Sequence, residues 1–194
     1  MPKVYTTEEK ENIRRDLRSA AEICLARYGV KKTTVDELVK MVNIPKGTFY
    51  LFYPSKEHLF LDVLDTFESE EEDRYFGMLQ ELDENHIVTS LTAVFYSVLM
   101  NIYKRGIYRF LENDQLELIT RKLPASERSK HQVGKMGRLS ELFAIFSIDD
   151  EDDIEAFNAA FRSLIYVLIH DDEIEDMEKA LKTLVRGLVL QLVE

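Results

Sequence analysis

Apolar residues recur along this chain at steps of three and four positions, which is the spacing of one face of an α-helix. The first such stripe begins at Ile13 and ends just before Gly29, and glycine is a common residue at a helix end. Thr6 and Glu9 precede the stripe with the spacing of a capping box. The pattern therefore predicts a first helix over about residues 7–28.

Two short helices are expected after the first one. Thr34 begins another capping-box pattern, which predicts helix 2 over about residues 34–42. Asn43 suits a tight turn after that helix, because asparagine tolerates the left-handed backbone conformation. Helix 3 is expected over about residues 45–52, and Pro54 ends it because proline interrupts a helix.

The rest of the chain continues the helical periodicity, and no convincing alternating strand pattern interrupts it. Further helices are expected over about residues 55–83, 86–104, 107–121, 125–146, 151–170 and 173–193. The predicted fold is all-α with about nine helices. We divide it into an N-terminal three-helix head, residues 1–54, and a larger helical body, residues 55–194.

Composition supports a globular helical protein. The chain is 45% apolar and 31% charged, with only seven glycines and four prolines. Its single cysteine excludes an intrachain disulfide and fits a reducing compartment. The charged N-terminus lacks the apolar stretch of a signal peptide, and no apolar run approaches the ~18 residues of a membrane span. We therefore expect a cytoplasmic protein.

The distribution of charge matters more than its total. A net charge of −11 speaks, by itself, against binding to nucleic acid. Residues 1–66, however, hold 11 basic and 10 acidic side chains, so the excess of acidic side chains lies in the remainder. A near-neutral head can present a local basic surface to phosphates, because charges are screened beyond about 10 Å at moderate salt.

Helices 2 and 3 have the layout of a helix-turn-helix, in which the second helix enters the major groove of DNA. This spacing alone is a weak signal, because helical hairpins are common. A stronger signal comes from residues 33–60, which read TTVDELVKMVNIPKGTFYLFYPSKEHLF. This segment resembles the DNA-binding segment of the TetR (tetracycline-repressor-like) family. The matching positions are Thr33, Thr34, Val35, Lys46, Gly47, Thr48, Tyr50, Pro54, Ser55, Lys56, Glu57 and Leu59.

The resemblance is specific over about residues 10–65, and beyond them only the number and lengths of the helices fit. It implies a homodimeric transcriptional regulator that binds a palindromic operator in double-stranded DNA, most simply a repressor released by a small-molecule inducer. The sequence departs from the family pattern at three positions. Asn43 replaces the usual turn glycine, Phe52 stands where histidine or tyrosine is common, and Tyr53 stands at the usual phenylalanine.

Seven residues are the candidates for DNA contact. We expect phosphate contacts from the hydroxyls of Thr33 and Thr34 and from the charges of Lys46 and Lys56. Gly47 would let the backbone approach the DNA, while Thr48 and Tyr50 project from helix 3 toward a base edge or the backbone. Each residue alone is explained as well by an ordinary cap or surface charge. Their joint order and spacing favour DNA binding.

Two further surfaces are expected in the body. The candidates for lining an inducer site are Phe95, Tyr96, Met100, Tyr103, Tyr108, Phe110 and Met136. The last two helices are apolar enough to form a dimer interface, and its candidate residues are Phe157, Phe161, Leu164, Leu181, Leu184 and Leu188. For both sets, packing inside the subunit's own core is the alternative reading.

The sequence contains no recognisable catalytic constellation, metal site or cofactor motif. His170 stands beside three acidic residues, but a polar turn between two helices accounts for this cluster. We therefore expect a protein that is not an enzyme. Two other classes stay open: a helical ligand-binding or protein-interaction module that does not bind DNA, and a small helical enzyme with a polar cluster inside the body.

Overall fold

A computed structural model describes residues 5–110, 115–123 and 150–193 of the 194-residue chain. All regular structure in these ranges is helical, which confirms the predicted all-α class. The α-helices are α1 Thr7–Lys32, α2 Val35–Val42, α3 Lys46–Phe52, α4 Lys56–Gln80, α5 Ile87–Lys104, α6 Gln115–Arg121, α7 Glu151–Ile169 and α8 Met177–Val193. The helix predicted over residues 125–146 lies outside the described residues.

Both ends of α1 follow from the residues named in the sequence. The Thr6 hydroxyl accepts from the Glu9 backbone N–H, and the Glu9 carboxylate accepts from the Thr6 N–H, so the capping box is complete. Gly29 breaks the helical path with a φ of 75° and a ψ of 177°, and a further turn leads to Lys32. This conformation favours glycine, since an L side chain rarely adopts a positive φ.

The predicted helix over residues 107–121 was wrong at its start. A short 3-10 turn, Ile107–Phe110, stands there instead, and the described part of α6 is Gln115–Arg121. Gly106, with a φ of 70°, lies so close to α1 that an added Cβ would be 2.7 Å from the Ala26 Cα. The approach of α1 therefore sets this turn, which periodicity along the chain does not reveal.

The described residues pack as two compact units. The first unit comprises residues 5–67, 105–110 and 115–123, in which α1 packs against α2, the Ile107–Phe110 turn and α6. Its core includes the ring pair of Phe60 and Phe110, whose centroids lie 6.1 Å apart. The sequence analysis placed the boundary between head and body at residue 54, and this functional division stays a prediction. The first packing unit extends beyond residue 54, to residue 67 and to residues 105–110 and 115–123.

The second unit comprises residues 68–104 and 150–193, so α4 contributes to both units without a break. Here α5 packs against α7 and α8, which also pack against each other. Phe95 lies at the centre of this core, with its ring centroid 5.8 Å from that of Phe157 and 5.1 Å from that of Phe161.

One described segment, Glu84–Lys104, is long and apolar enough to cross a membrane when judged by length and composition alone. It has a mean hydropathy of 1.3 and includes α5. Burial of α5 against α7 and α8 accounts for its apolar character, because a core helix carries the same composition as a membrane-spanning one.

Candidate nucleic-acid interface

The turn between α2 and α3 is closed by backbone hydrogen bonds. Asn43 has a φ of 56° and a ψ of 46°, the left-handed conformation expected for it, and its N–H donates to the Lys40 carbonyl. The Ile44 N–H donates to the Val39 carbonyl at 3.0 Å. The departure from a turn glycine is thus accommodated, and α2 and α3 are held in the helix-turn-helix arrangement.

One face of α3 anchors the helix in the first unit. Phe49 is fully buried, and its ring centroid lies 5.9 Å from that of the buried Tyr53. The Tyr53 hydroxyl donates to Asp62, which also pairs with Arg18 at 3.2 Å. Burial and then the hydrogen bond to Asp62 raise the pKa of Tyr53. The replacement of phenylalanine by Tyr53 therefore keeps the ring in the core and adds a part-buried hydrogen bond to Asp62.

The opposite face of α3 is open to solvent. It carries Lys46, Gly47, Tyr50 and Leu51, and the side chain of Tyr50 is 51% exposed. A Cβ added at Gly47 would meet nothing within 4 Å, so the helix surface is unobstructed there. Leu51 was not among the sequence candidates. Its position four residues after Gly47, on the same side of the helix, is the signal that would have identified it.

The two candidate lysines occupy different environments. Lys46 is exposed, and its ammonium lies 2.9 Å from a carboxylate oxygen of Asp36, which raises the pKa of Lys46. The ammonium of Lys56 instead donates to the backbone carbonyls of Val30 at 2.9 Å and Thr33 at 2.6 Å. Burial lowers the pKa of Lys56. Lys56 therefore closes the carboxyl end of α1, a placement that does not suit the phosphate contact predicted for it.

The three candidate threonines also divide. Thr34 is exposed and caps α2, where its hydroxyl accepts from the Glu37 N–H at 3.2 Å. Thr33 is buried and donates to the Gly29 carbonyl at 2.8 Å. Thr48 is buried as well, with its hydroxyl 3.5 Å from that of Tyr5. The structure thus brings Thr34, together with the exposed face of α3, to the surface, and it turns Thr33 and Thr48 inward.

Residues 115–123, which include α6, brace the same region, a feature that sequence analysis missed. The Val30 N–H donates to the Gln115 side-chain oxygen at 2.6 Å, and Gln115 is buried. The Lys122 ammonium lies 2.7 Å from the carboxylate of Glu57. Burial raises the pKa of Glu57, but the hydrogen bonds from Lys122, from the backbone and from Ser55, together with the charge of Lys122, outweigh burial and the pKa is lowered. The end of α1 and the start of α4 are therefore both tied to residues 115–123.

The candidate inducer-binding residues are dispersed. Phe95 and Met100 are buried in the second unit, where Tyr96 and Tyr103 donate their hydroxyl hydrogens to Glu178 and Asp171. Tyr108 and Phe110 belong to the first unit, and Met136 lies outside the described residues. For the buried residues, core packing accounts for the position without a ligand.

A buried polar cluster in the second unit was also missed by sequence analysis. The carboxylate of Glu71, which is almost fully buried, pairs with Arg74 and accepts from the Asn101 amide. Arg74 also donates to the Ser97 hydroxyl at 3.1 Å. These hydrogen bonds give the buried carboxylate of Glu71 the partners that a buried polar group requires. No group of three or more His, Cys, Asp or Glu is arranged to hold a metal ion within the described ranges.

The candidate dimer residues differ in burial. Phe157, Phe161, Leu164 and Leu181 lie in the core of the second unit. Packing inside the subunit accounts for the position of these four, and their place in a dimer interface stays a prediction. Leu184, which is 47% exposed, and the half-buried Leu188 lie on the outer side of α8. An apolar helical stripe does not distinguish a subunit's own core from a shared one.

Known proteins resemble the N-terminal part of this chain. The family model described as "Bacterial regulatory proteins, tetR family" matches residues 17–63. Two relatives from Bacillus subtilis (strain 168) are the uncharacterized HTH-type transcriptional regulators YhgD and YuxN. YhgD is 40% identical over 47 residues, which cover 24% of this chain and 25% of the relative. YuxN is 45% identical over 40 residues, covering 21% and 14%. The match thus spans a quarter or less of either relative.

Among solved structures, RolR in complex with the ligand resorcinol is 21% identical to this chain. The alignment covers 95% of this chain and 96% of that one, with a TM-score of 0.48.

Proposed function

We propose that this chain is a transcriptional regulator of the tetR family that binds DNA, because its residues 17–63 match the model of that family. One observation carries the proposal: α3 buries Phe49 on one face and presents Lys46, Gly47 and Tyr50 on the other. A short helix that is anchored on one side and unobstructed on the other fits the major groove. We assign it as the recognition helix.

The proposed contacts follow from the exposed side chains. The Lys46 ammonium exchanges Asp36 for a phosphate, and this exchange costs little because exposed ion pairs contribute little to stability. Gly47 allows close approach of the backbone, while Thr34 and Tyr50 provide hydroxyl groups. Lys56, Thr33 and Thr48 act indirectly in this scheme, by fixing the turn and the helix on which the contacts depend.

We further propose that the protein acts in the cytoplasm as a homodimer on a palindromic operator, as a repressor that a small molecule releases. Two-fold symmetry in the protein matches two half-sites one helical turn apart. The proposed link between ligand and DNA is α4, which runs through both units without a break. A ligand acts in this way only if it binds the released state more tightly than the DNA-bound state.

The test begins with selection of sites from a random double-stranded DNA pool by the purified protein. Enrichment of a palindromic sequence is the expected result. If no sequence is enriched at low salt, the better interpretation is a helical ligand-binding or protein-interaction module that does not bind DNA. Tyr50→Ala is expected to weaken binding to the selected site by about tenfold or more while the melting temperature stays unchanged, because the ring is largely outside the core.

A charge substitution tests the proposed phosphate contact. Lys46→Ala should reduce the slope of log affinity against log salt by about one unit. The matched control is Lys179→Ala, which removes an exposed lysine of α8 and should leave the slope unchanged. Equal slopes for the wild-type protein and Lys46→Ala would remove Lys46 from the interface.

A further inference from the structure

We propose that Leu51 determines part of the sequence preference by contacting the C5 methyl group of a thymine in the major groove. This inference rests on the proposed function, since it requires α3 to be the recognition helix. It adds a residue that neither the family pattern nor the helix-turn-helix spacing singles out.

The first observation is the exposure of Leu51. Its side chain is 70% exposed, the highest value among the large apolar side chains in the part of the chain that the structure describes. The core of the first unit is filled from the other face of α3, by Phe49 and Thr48. Packing within the subunit therefore does not account for a leucine at this position.

The second observation is the composition of α3 itself. Its seven residues, KGTFYLF, include no Arg, Asn or Gln for bidentate hydrogen bonds to guanine or adenine, and its one lysine, Lys46, is assigned to a phosphate. With that assignment, base reading by this helix relies on hydroxyl and apolar contacts. The apolar group that a major groove offers to a protein is the methyl of thymine.

The third observation is the position of Leu51 beside the proposed contacts. Leu51 follows Tyr50 directly and lies one helical turn after Gly47, where the surface is unobstructed. A backbone that approaches the base edges at Gly47 brings the next turn of the same face toward them as well. The exposed apolar surface is thus continuous with the proposed interface.

The experiment compares thymine with deoxyuridine, which lacks only the C5 methyl group. Each thymine of the selected site is replaced in turn, and affinities are measured for the wild-type protein and for Leu51→Ala. We expect one thymine per half-site at which deoxyuridine weakens wild-type binding about threefold to tenfold. Leu51→Ala should bind both versions equally. Ile23→Ala, which shortens another exposed apolar side chain of the first unit, should retain the wild-type preference.

The outcomes separate the two proposals. If Leu51→Ala keeps the full preference for thymine, or if the wild-type protein shows none at any position, the inference about Leu51 is overturned and DNA binding stands. If no DNA is enriched, both proposals fail together. Should Leu51→Ala bind too weakly to measure, Leu51→Val supplies the comparison, with a reduced preference expected. A second copy of the chain is the other partner that the exposed Leu51 could contact, and sedimentation of Leu51→Ala tests this alternative. Dissociation of the dimer would assign Leu51 to a contact between copies and overturn the proposal.

Discussion

Lys56 illustrates how a single residue in a family motif can serve the fold. The motif suggested a phosphate contact, whereas the ammonium donates to the carbonyls of Val30 and Thr33 where α1 ends. The last carbonyls of a helix lack partners within it, and a lysine side chain satisfies them well. The charge of Lys56 was readable from the sequence, but its direction depends on the return of α4 to the end of α1, which the local pattern does not contain.

Substitution of Lys56 should therefore reduce stability. We expect Lys56→Met to lower the free energy of unfolding by about 1–3 kcal/mol, because buried carbonyls lose a charged donor. Chemical denaturation measures this change, with Lys179→Ala as a surface lysine control. If Lys56→Met is as stable as the wild-type protein and its slope of log DNA affinity against log salt is smaller by about one unit, the direct phosphate contact is supported instead.

Cys24 gives a second prediction at this scale. The residue is fully buried in α1, and burial raises the pKa of its thiol to about 11. Only about one thiol in a thousand is then ionised at pH 8, and the thiolate is the reactive species. We expect an aromatic disulfide reagent to release no colour from the native protein within minutes and one equivalent after denaturation. Rapid release from the native protein would show that Cys24 is accessible.

At the scale of helices, the local sequence predicted the helix starts that a polar cap fixes. It did not predict the helix ends that depend on residues far away in the chain. Thr6 and Thr34 fix the starts of α1 and α2 through hydrogen bonds three residues away, which a local pattern captures. The 3-10 turn at Ile107–Phe110 depends on the approach of Gly106 to Ala26, eighty residues earlier in the chain. Contacts at that separation leave no periodic trace, so the sequence suggested one long helix instead.

Substitutions at two glycines test the effect of such a distant contact on stability. Gly29→Ala should lower the free energy of unfolding by roughly 1–3 kcal/mol, because the φ of 75° disfavours a side chain and the Cβ would lie 2.6 Å from the Gln115 amide. Gly77→Ala is the matched control: Gly77 lies within α4 and its added Cβ meets nothing within 4 Å. Alanine should stabilise that position by about 0.5–1 kcal/mol. Thermal unfolding of both variants checks the opposite signs, and a destabilised Gly77→Ala would contradict the account.

For the whole molecule, the sequence predicted the helical class but not which apolar residues of α8 stay exposed on the subunit. Buried Leu181 and exposed Leu184 differ only by three positions on α8. Both belong to the same apolar pattern, and the distinction appears once α5 and α7 are seen to cover one side of the helix. The proposed dimer therefore depends on the uncovered side.

This distinction predicts different outcomes for two leucine substitutions. Leu184→Glu should yield folded monomers, because the carboxylate stays solvated in the subunit but would be buried without a partner charge in the dimer. Leu181→Glu should unfold the protein, since it places a charge in the core. Sedimentation velocity and circular dichroism on both variants distinguish the cases. An intact Leu184→Glu dimer would show that the copies associate through another surface.

The interleaving of the two units along the chain limits how such a protein can be recombined. A chimera made by joining residues 1–54 to a foreign body would lose the hydrogen bond from the Val30 N–H to Gln115 and the ion pair between Glu22 and Arg105. The smallest DNA-binding segment that could be transplanted therefore includes residues 105–110 and 115–123, which belong to the first unit but follow residues 68–104 in the sequence. A single crossover transfers it only together with residues 68–104 of the second unit. An exchange of DNA specificity between relatives is therefore easier by substitution on the open face of α3 than by exchange of whole units.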